Sequence, residues 1–444
     1  MNTVKFGTDG IRAVVNEDLT VETAYKLGCA LALYLLEEEG KPIVYIGEDT
    51  RKSCAMLKSG LLAGLLSYGI DCVCLGIITT PSLAYITKKN KANAGIMITA
   101  SHNAEQYNGF KVFDSSGQKI DIKTALVLER YAQIISHFKP KVAKEVGTLK
   151  NDNSKIKNYL SHLRHKIKEN KFKVCFDCAN GTTNFIIGKI FNPNQIVSGN
   201  EVESSLVNLN CGATDLKKLQ IKVVQEGYDV GFAFDGDGDR VMAVSKSGRV
   251  VDGDEILYII AKYLKMQGKL KRSTVVGTVV TNYGVEKSLS NIGINLVRQQ
   301  VGDKFINLEM KRKGYNLGGE QSGHIIIGNE TTTGDGVLVA ITLLNIMNEL
   351  NADLEDLTKE IIKFNQSAIN VEIKQENKDY IMQNYDFNEF LSRLEDEMSY
   401  NGRILVRASG TESLIRVLVE GESKSMCESV AKQIEKRILT LNEN

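Results

Sequence analysis

Short apolar runs alternate with longer amphipathic stretches along the first third of this 444-residue chain. The run 43–47 (IVYIG) precedes an amphipathic stretch from about 52 to 68, and the run 94–99 (AGIMIT) leads through a polar loop to a further run at 110–114 (FKVFD). Apolar runs of strand length that alternate with helix-length stretches are typical of β-α-β units around a mixed sheet. The pattern therefore predicts an α/β domain in which 110–114 is a return strand.

The same alternation returns twice further along the chain. A second set opens at 173–181 (KVCFDCANG) and closes at 230–240 (VGFAFDGDGDR). A third set begins with a helix-like stretch at 254–264 and continues through 274–282 and 316–327. Repetition of one pattern is the usual sign of repeated structural units. We therefore expect three similar α/β modules.

The last part of the chain has a different pattern. Apolar runs flank a Gly-rich loop within 402–421, and helix-like stretches precede and follow them. Strands paired around a loop, with helices on one face, indicate a small α+β domain. We interpret the polar stretches near 147–155 and 363–368 as linkers.

The predicted fold class is thus α/β with four domains, namely three similar α/β mixed-sheet modules and a C-terminal α+β domain. The predicted domain limits are 1–148, 149–252, 253–365 and 366–444.

Composition excludes several classes of protein. Lys and Arg total 55 and Asp and Glu total 54, so the formal charge of +1 lacks the basic excess of a general nucleic-acid binder. The most apolar stretch, 61–78, is interrupted by glycines and Asp71, and the first residues lack the apolar core of a signal peptide. We therefore expect a cytoplasmic protein that binds neither nucleic acid nor membrane. The eight cysteines show no paired zinc-ligand spacing and are expected to be buried thiols.

The segment FDGDGDR places three carboxylates, Asp235, Asp237 and Asp239, directly after an apolar strand. Carboxylates so close together repel one another unless a cation lies among them, and hard oxygen ligands favour Mg²⁺ or Ca²⁺. The spacing resembles a calcium EF-hand loop, but Arg240 stands where that loop needs Gly and Lys246 where it needs Glu. A solvated acidic turn is the alternative to a metal site.

Two further loops carry groups that suit a phosphosugar. In VRASGTES, the guanidinium of Arg407 and the turn of Ser409, Gly410 and Thr411 offer donors for an anion, although a polar hairpin turn would look the same. GEQSGH offers Glu320 and Ser322 for sugar hydroxyls and His324 as a donor. A purely structural loop is the alternative.

Ser101 lies in the stretch MITASHN and has three interpretations: a nucleophile, a phosphate carrier or a helix N-cap. A hydrolase serine would usually lie in G-x-S-x-G, and the neighbouring His102 is not expected to point at it, because adjacent residues rarely direct their side chains at one another. No P-loop and no dinucleotide-binding G-x-G-x-x-G is present. A phosphate carrier best fits the company of a cation loop and an anion cradle.

These motifs together resemble the α-D-phosphohexomutase superfamily. Its signature loops occur here in family order as TASHNAEQYNGFK, FDGDGDR, GEQSGH and RASGTES, preceded by FGTDGIR. The stretches 210–219, 301–306 and 331–337 are similar to the bacterial branch that acts on glucosamine phosphates. The resemblance runs from about residue 4 to residue 422. Departures from the usual pattern are Ala13, Ala104, Gln321 and Ser413, none of which removes a ligand.

The resemblance implies four domains around a central cleft and interconversion of glucosamine 6-phosphate and glucosamine 1-phosphate. The route would pass through a phosphoserine enzyme and a 1,6-bisphosphate sugar, toward UDP-N-acetylglucosamine and the cell wall. Alternatives are a phosphomannomutase/phosphoglucomutase, a non-catalytic phosphosugar-binding protein on the same scaffold, and a metal-binding signalling module. The expected partner is a small phosphosugar, and a homodimer is left open.

The resemblance also assigns roles to residues. Ser101, phosphorylated by a hexose 1,6-bisphosphate or by another route, would join the three aspartates in holding one Mg²⁺ per subunit. Lys111, Arg12 and His102 would lie by the transferring phosphoryl group, and Lys111 would act as a base if Arg12 depressed its pKa. The substrate-binding positions implied are Arg240, Glu320, Ser322, His324, Arg407, Ser409, Gly410 and Thr411.

Overall fold

The computed structural model describes most of the chain, namely residues 3–37, 40–191, 196–198, 206–398, 401–409 and 412–443. The chain divides into two compact units. The first comprises Met1–Thr278 and Val297–Lys359, and the second comprises Val279–Leu296 and Glu360–Asn444. By its contacts, the segment Val279–Leu296 falls in the second unit.

The first module is a six-stranded mixed sheet of order β1-β5-β4-β2-β3-β6. Its elements are β1 (Ile11–Val14), α1 (Val21–Leu35), β2 (Ile43–Glu48), α2 (Cys54–Ser67), β3 (Asp71–Ile77), α3 (Thr80–Lys89), β4 (Ala94–Ile98), β5 (Tyr107–Asp114), α4 (Ile122–Ile134) and β6 (Leu149–Asn151). Strand β5 runs antiparallel to β4, so the predicted return strand is confirmed. Strand β6 pairs with β3, which means that the stretch interpreted as a linker includes an edge strand of this sheet.

The second module is a five-stranded sheet of order β11-β10-β9-β7-β8. Its elements are α5 (Ile156–Lys166), β7 (Val174–Asp177), α6 (Asn184–Ile190), β8 (Ile196–Ser198), α7 (Lys217–Gln225), β9 (Val230–Phe234), β10 (Val241–Ser245) and β11 (Val250–Val251). Every residue of β9 is buried, and β9 and β10 form the antiparallel pair that carries the acidic segment in its turn.

The third module has a four-stranded sheet of order β13-β12-β14-β15. Its elements along the chain are α8 (Gly253–Met266), β12 (Thr274–Thr278), α9 (Tyr283–Asn291), β13 (Asn295–Gln299), α10 (Asp303–Lys313), β14 (Leu317–Gly319), β15 (Ile325–Ile327), α11 (Gly336–Leu350) and α12 (Leu354–Thr358). Helix α8 begins with a capping box between Asp252 and Glu255, which satisfies donors at its first turn. The GEQSGH segment spans the end of β14 and the turn before β15.

The C-terminal part of the chain has an antiparallel sheet of order β16-β18-β17. Its elements are β16 (Asn365–Glu372), α13 (Lys378–Gln383), α14 (Tyr385–Glu397), β17 (Gly402–Ala408), β18 (Leu414–Gly421) and α15 (Lys424–Glu443). Buried residues of the strands and of α14 and α15 form one hydrophobic core. Since β16 begins at Asn365, the second stretch interpreted as a linker also contributes to a strand.

The structure bears on the predicted state of the cysteines and on whether a helix could span a membrane. All eight cysteines are buried and free, as expected of buried thiols. Among the helices of the described residues, none has the combination of length and apolar character needed to cross a bilayer.

Helices α1 and α2 approach so closely that their backbones touch. A Cβ atom added at Gly28 would lie 2.3 Å from the carbonyl oxygen of Leu61, and one added at Gly64 would lie 2.4 Å from that of Tyr25. Both distances are far shorter than a normal contact between carbon and oxygen. Glycine is therefore required at this crossing for close approach.

We predict that Gly64→Ala lowers the free energy of unfolding by about 1–3 kcal/mol, because the methyl group forces the helices apart. This loss would occur although alanine favours helix by about 1 kcal/mol over glycine. Urea unfolding followed by circular dichroism measures the change. Ser59→Ala, on the exposed side of the same helix, is the matched control and should stay within about 0.5 kcal/mol. A Gly64→Ala protein as stable as the parent would contradict the argument.

Candidate active site

Ser101 lies in a tight turn beyond the carboxyl end of β4 and is fully buried. Its φ of +53° is in the left-handed region, which costs a residue other than glycine about 1–2 kcal/mol. The backbone N–H of Ser101 donates to Thr99 Oγ1 at 2.9 Å. No helix begins at Ser101, so the N-cap interpretation is wrong.

The Ser101 hydroxyl donates a hydrogen bond to Asp235 Oδ2 at 2.6 Å, which joins the serine turn to the acidic turn. His102 Nδ1 lies 3.2 Å from the same hydroxyl oxygen. The expectation that the adjacent histidine would point elsewhere is therefore wrong, and the reason is the left-handed backbone at Ser101. Burial, together with the nearby charges of Arg240 and Arg12, lowers the pKa of His102 to about 4, so its ring is neutral at neutral pH.

Asp235, Asp237 and Asp239 follow β9 in the FDGDGDR turn, and all three are buried. Each offers a carboxylate oxygen, and the three oxygens lie within 4.8 Å of one another. Burial and the charges of Asp239 and Asp237 raise the pKa of Asp235 well above its ordinary value. Asp237 Oδ1 is buried and has no hydrogen-bond partner among the described residues. A hard divalent cation such as Mg²⁺ fits this set of oxygen donors, because it would relieve the repulsion and satisfy the orphaned oxygen.

Lys111, in the middle of β5, is buried beside the triad. Its ammonium lies 2.8 Å from Asp237 Oδ2, 2.6 Å from Asp239 Oδ2 and 3.4 Å from Asp9 Oδ2. Burial alone would lower the pKa of Lys111, but these carboxylates outweigh both burial and Arg12 and raise it well above its ordinary value. The pKa of Lys111 is therefore raised and not depressed as expected, and its role as a base, which needed that depression, stays a prediction.

Arg12 belongs to the same network through Asp9. Arg12 Nη2 donates to Asp9 Oδ2 at 2.8 Å, and Nη1 donates to Asn103 Oδ1 in the serine turn at 3.0 Å. Asp9 also accepts from Lys119, whose ammonium lies 2.5 Å from Asp303 Oδ2. Lys119 therefore connects the first module to the third, and Asp9 links Lys119 to Arg12 and the serine turn.

His324 bridges the acidic turn and the third module. Its Nδ1 lies 3.6 Å from Asp239 Oδ1, and its Nε2 lies 3.4 Å from Asp303 Oδ2 and accepts the backbone N–H of Gly334 at 3.0 Å. The residue is buried. Because each ring nitrogen has a partner, the orientation of the ring is fixed.

The remaining predicted sugar-side residues of the first unit surround this network. Arg240 donates its backbone N–H to Asp235 Oδ1 at 3.1 Å, and its Nε lies 3.9 Å from Asp239 Oδ1. Glu320 Oε1 accepts the backbone N–H of Gly302 at 3.0 Å. Ser322 is half-buried in the turn that follows β14. Glu320 and Arg240 interact electrostatically, since Glu320 helps to raise the pKa of Arg240 against the effect of burial.

In the second unit, Arg407 and Ser409 lie at the end of β17, while Gly410 and Thr411 fall outside the described residues. Arg407 is paired directly across the strands with Arg416. Burial and the charge of Arg416 lower the pKa of Arg407. Like charges opposite each other in a sheet are destabilising, although Arg416 is partly offset by Glu412, whose Oε2 lies 2.6 Å from Arg416 Nη2.

Sequence reasoning missed several residues of the network. Asp9 lies inside the quoted FGTDGIR motif and Asp303 inside VGDKFI, but neither motif showed which partner each would meet. Lys119 and Arg51 belonged to no motif. Arg51 follows β2, which runs parallel to β4, and the shared carboxyl edge of parallel strands is the one signal that could have placed it near Ser101.

Comparison with family models identifies four successive domains along the chain. The models describe phosphoglucomutase/phosphomannomutase alpha/beta/alpha domain I at residues 3–137, domain II at 155–248, domain III at 252–364 and the C-terminal domain at 368–437. The predicted fold class, three α/β modules followed by a C-terminal domain, is confirmed. The predicted limits of the domains stay predictions.

Curated relatives are similar to this chain over almost its full length. The phosphoglucosamine mutase of Thermoanaerobacter pseudethanolicus is 40% identical over 434 residues, which cover 97% of each chain. The phosphoglucosamine mutase of Oceanobacillus iheyensis is 42% identical over 435 residues, again 97% of each chain.

A solved structure supports the fold. The phosphoglucomutase/phosphomannomutase family protein of Burkholderia thailandensis superposes with a TM-score of 0.80 at 20% identity and covers 99% of this chain and 97% of its own.

We predict that Asp237→Asn weakens Mg²⁺ binding by about 100-fold or more, because a buried ligand loses its charge. Isothermal titration calorimetry with Mg²⁺ measures the affinity without any turnover. Asp152→Asn, at an exposed cap in the same unit, is the control and should bind like the parent protein. Equal Mg²⁺ affinity in Asp237→Asn and the parent would exclude the triad as the cation site.

We predict that Arg407→Gln weakens binding of inorganic phosphate and phosphosugars by about 10-fold without destabilising the protein, because it removes a donor but also relieves repulsion from Arg416. Thermal unfolding with and without phosphate measures both effects. Arg393→Gln, in α14 of the same unit, is the control. A large loss of stability in unliganded Arg407→Gln would contradict an anion-binding role.

Proposed function

The chain belongs to the phosphoglucomutase/phosphomannomutase family, and from that premise we propose that it is a phosphoglucosamine mutase, an isomerase that interconverts glucosamine 6-phosphate and glucosamine 1-phosphate. The observation that supports the proposal is the 2.6 Å hydrogen bond from Ser101 Oγ to Asp235 Oδ2, because a serine that carries phosphate in this reaction would need to lie against the acidic triad. The preference for glucosamine is supported by full-length relatives of that name at 40% and 42% identity.

In the proposed cycle, Ser101 carries a phosphoryl group. The bond between Oγ and phosphorus breaks as a sugar hydroxyl takes the phosphoryl group, which gives a hexose 1,6-bisphosphate. This sugar turns around, and its other phosphate returns to Ser101. The transfer also moves one proton, which leaves the attacking sugar hydroxyl and ends on Ser101 Oγ as its bond to phosphorus breaks. Asp235 and the neutral ring of His102 contact Ser101 Oγ, so we propose that they pass this proton to it.

Asp235, Asp237 and Asp239 would hold Mg²⁺, together with the phosphate on Ser101. When bound, the ion offsets negative charge on the transferring phosphoryl group. We propose that Lys111 and Arg12 add positive charge beside the transferring phosphoryl group, since Lys111 lies against the triad and Arg12 contacts the serine turn.

The other end of the substrate needs its own binding groups, because the reacting and non-reacting phosphates exchange places. Arg407 and Ser409, with Gly410 and Thr411, are proposed to hold the non-reacting phosphate. Glu320, Ser322 and His324, with Arg240, are proposed to orient the sugar. This requirement separates a mutase from a simple phosphatase, which needs no second anion site.

The cellular setting follows from the reaction. The product would feed UDP-N-acetylglucosamine synthesis in the cytoplasm, and a hexose 1,6-bisphosphate or a separate phosphorylation would charge Ser101. The partner is a small phosphosugar. A homodimer stays a prediction.

We predict that the purified protein with Mg²⁺ converts glucosamine 6-phosphate at least 10-fold more efficiently, in kcat/KM, than glucose or mannose 6-phosphate. A coupled assay for each 1-phosphate product measures this. Ser101→Ala should abolish turnover and labelling by radiolabelled glucose 1,6-bisphosphate, whereas Ser116→Ala, an exposed control, should keep both.

Three outcomes would count against the proposal in different ways. Higher kcat/KM on glucose or mannose 6-phosphate would indicate a phosphoglucomutase/phosphomannomutase. Labelling retained in Ser101→Ala would move the carrier to another residue. Absence of turnover on all three sugars, despite activator and Mg²⁺, would favour a non-catalytic phosphosugar-binding protein.

A further inference from the structure

Arg51 donates to four backbone carbonyls of the serine turn. Its Nη2 donates to the carbonyls of Ser101 at 3.1 Å and Asn103 at 2.7 Å, and its Nη1 donates to those of Ala104 at 2.6 Å and Tyr107 at 3.0 Å. The guanidinium is fully buried. With these four bonds and one from Nε, all five N–H donors are used, which is the full capacity of an arginine.

Asp49 holds the guanidinium in place. Asp49 Oδ2 accepts from Arg51 Nε at 3.0 Å and from Thr99 Oγ1 at 2.7 Å, and Oδ1 accepts the backbone N–H of Arg51 at 2.9 Å. Thr99 Oγ1 in turn accepts the backbone N–H of Ser101. One carboxylate therefore fixes both the arginine and the residue that precedes the turn.

Asn208, in the second module, donates to two of the same carbonyls. Its Nδ2 lies 2.9 Å from the oxygen of Ser101 and 3.1 Å from that of Asn103. Its Oδ1 is buried and has no hydrogen-bond partner within the described part of the chain. The amide is thus held here by the two hydrogen bonds that it donates. The carbonyl oxygens of Ser101 and Asn103 each accept one hydrogen bond from Arg51 of the first module and one from Asn208 of the second.

The acidic turn packs on the same spot. A Cβ atom added at Gly236 would lie 2.8 Å from the Ser101 carbonyl oxygen and 3.1 Å from Asn208 Nδ2. Only glycine at position 236 therefore lets the acidic turn pack this closely on the Ser101 carbonyl and the Asn208 amide.

We propose that Arg51 and Asn208 are positioning residues that hold Ser101 in the one backbone conformation that directs its hydroxyl at the acidic triad. The hydrogen bonds of Arg51 and Asn208 go to backbone carbonyls of the turn and to Asp49, and not to the Ser101 hydroxyl or a carboxylate of the triad. Both side chains therefore act through the backbone of the turn. This inference rests on the proposed phosphoryl transfer at Ser101. Its consequence is kinetic, because a misplacement of about 1 Å costs on the order of 100-fold in rate.

The test compares Arg51→Lys and Asn208→Asp with the parent. Arg51→Lys keeps the charge beside Asp49 but loses the fork, and Asn208→Asp keeps the size but loses the donors. In Arg51→Lys we expect both kcat and the rate of labelling by glucose 1,6-bisphosphate to fall about 100-fold, and in Asn208→Asp we expect both to fall about 10-fold. The KM for glucosamine 6-phosphate should stay within about 2-fold in both variants. Asn90→Ala removes a comparable bond, from Nδ2 to the carbonyl of Ile86 at 2.9 Å in α3, and should change none of these values.

A crystal structure of Asn208→Asp provides a readout that does not depend on activity. We expect Ser101 Oγ beyond hydrogen-bond distance of Asp235 Oδ2. An unchanged turn, or unchanged labelling in Asn208→Asp, would overturn the inference, and Asn208 carries the test if Arg51→Lys fails to fold. If the parent protein is neither labelled nor active, the proposed function fails, while the crystal structure still decides whether Asn208 sets the turn.

Discussion

The site depends on the burial of three carboxylates in one short turn. In isolation Asp235, Asp237 and Asp239 would repel one another and favour an open, solvated loop. The structure offsets this repulsion with a buried ammonium, Lys111, supplied by a strand of another module. Burial and the charges of Asp239 and Asp237 raise the pKa of Asp235. Burial would also raise the pKa of Asp239, but Lys111 and His324 outweigh it and lower that pKa.

This charge balance ties the modules of the first unit together. Thr80, at the start of α3 in the first module, donates its backbone N–H at 2.9 Å to the carbonyl and its hydroxyl at 2.5 Å to the carboxylate of Asp237. Lys119 of the first module meets Asp303 of the third, and His324 of the third lies beside Asp239 of the second. The serine turn and the acidic turn are therefore brought together by contacts between modules of the first unit.

The parts of the site that sequence could predict are those that carry their chemistry locally. Three aspartates two residues apart after an apolar strand favour a cation site over a solvated acidic turn, and the alternation of strands and helices predicts the modules. The partners of these groups could not be predicted, because 184 residues separate Lys119 from Asp303 and 50 separate Arg51 from Ser101. The approach of His102 to Ser101 was missed for another reason, since it depends on a backbone angle that no residue type at that position indicates.

Burial of the charges explains why the serine turn needs so much support. In the proposed phosphoryl transfer at Ser101, the surrounding charges would stabilise the transition state most if they were already oriented, because they would then need no reorganisation during the reaction. Ser101 achieves this with a left-handed φ, which the turn would not keep by itself. The hydrogen bonds to the carbonyls of the turn come from the buried Arg51 of the first module and the half-buried Asn208 of the second, and they compensate for that strain. The orientation of the Ser101 hydroxyl thus depends on contacts between modules, in the same way as the charge balance of the acidic turn that it faces.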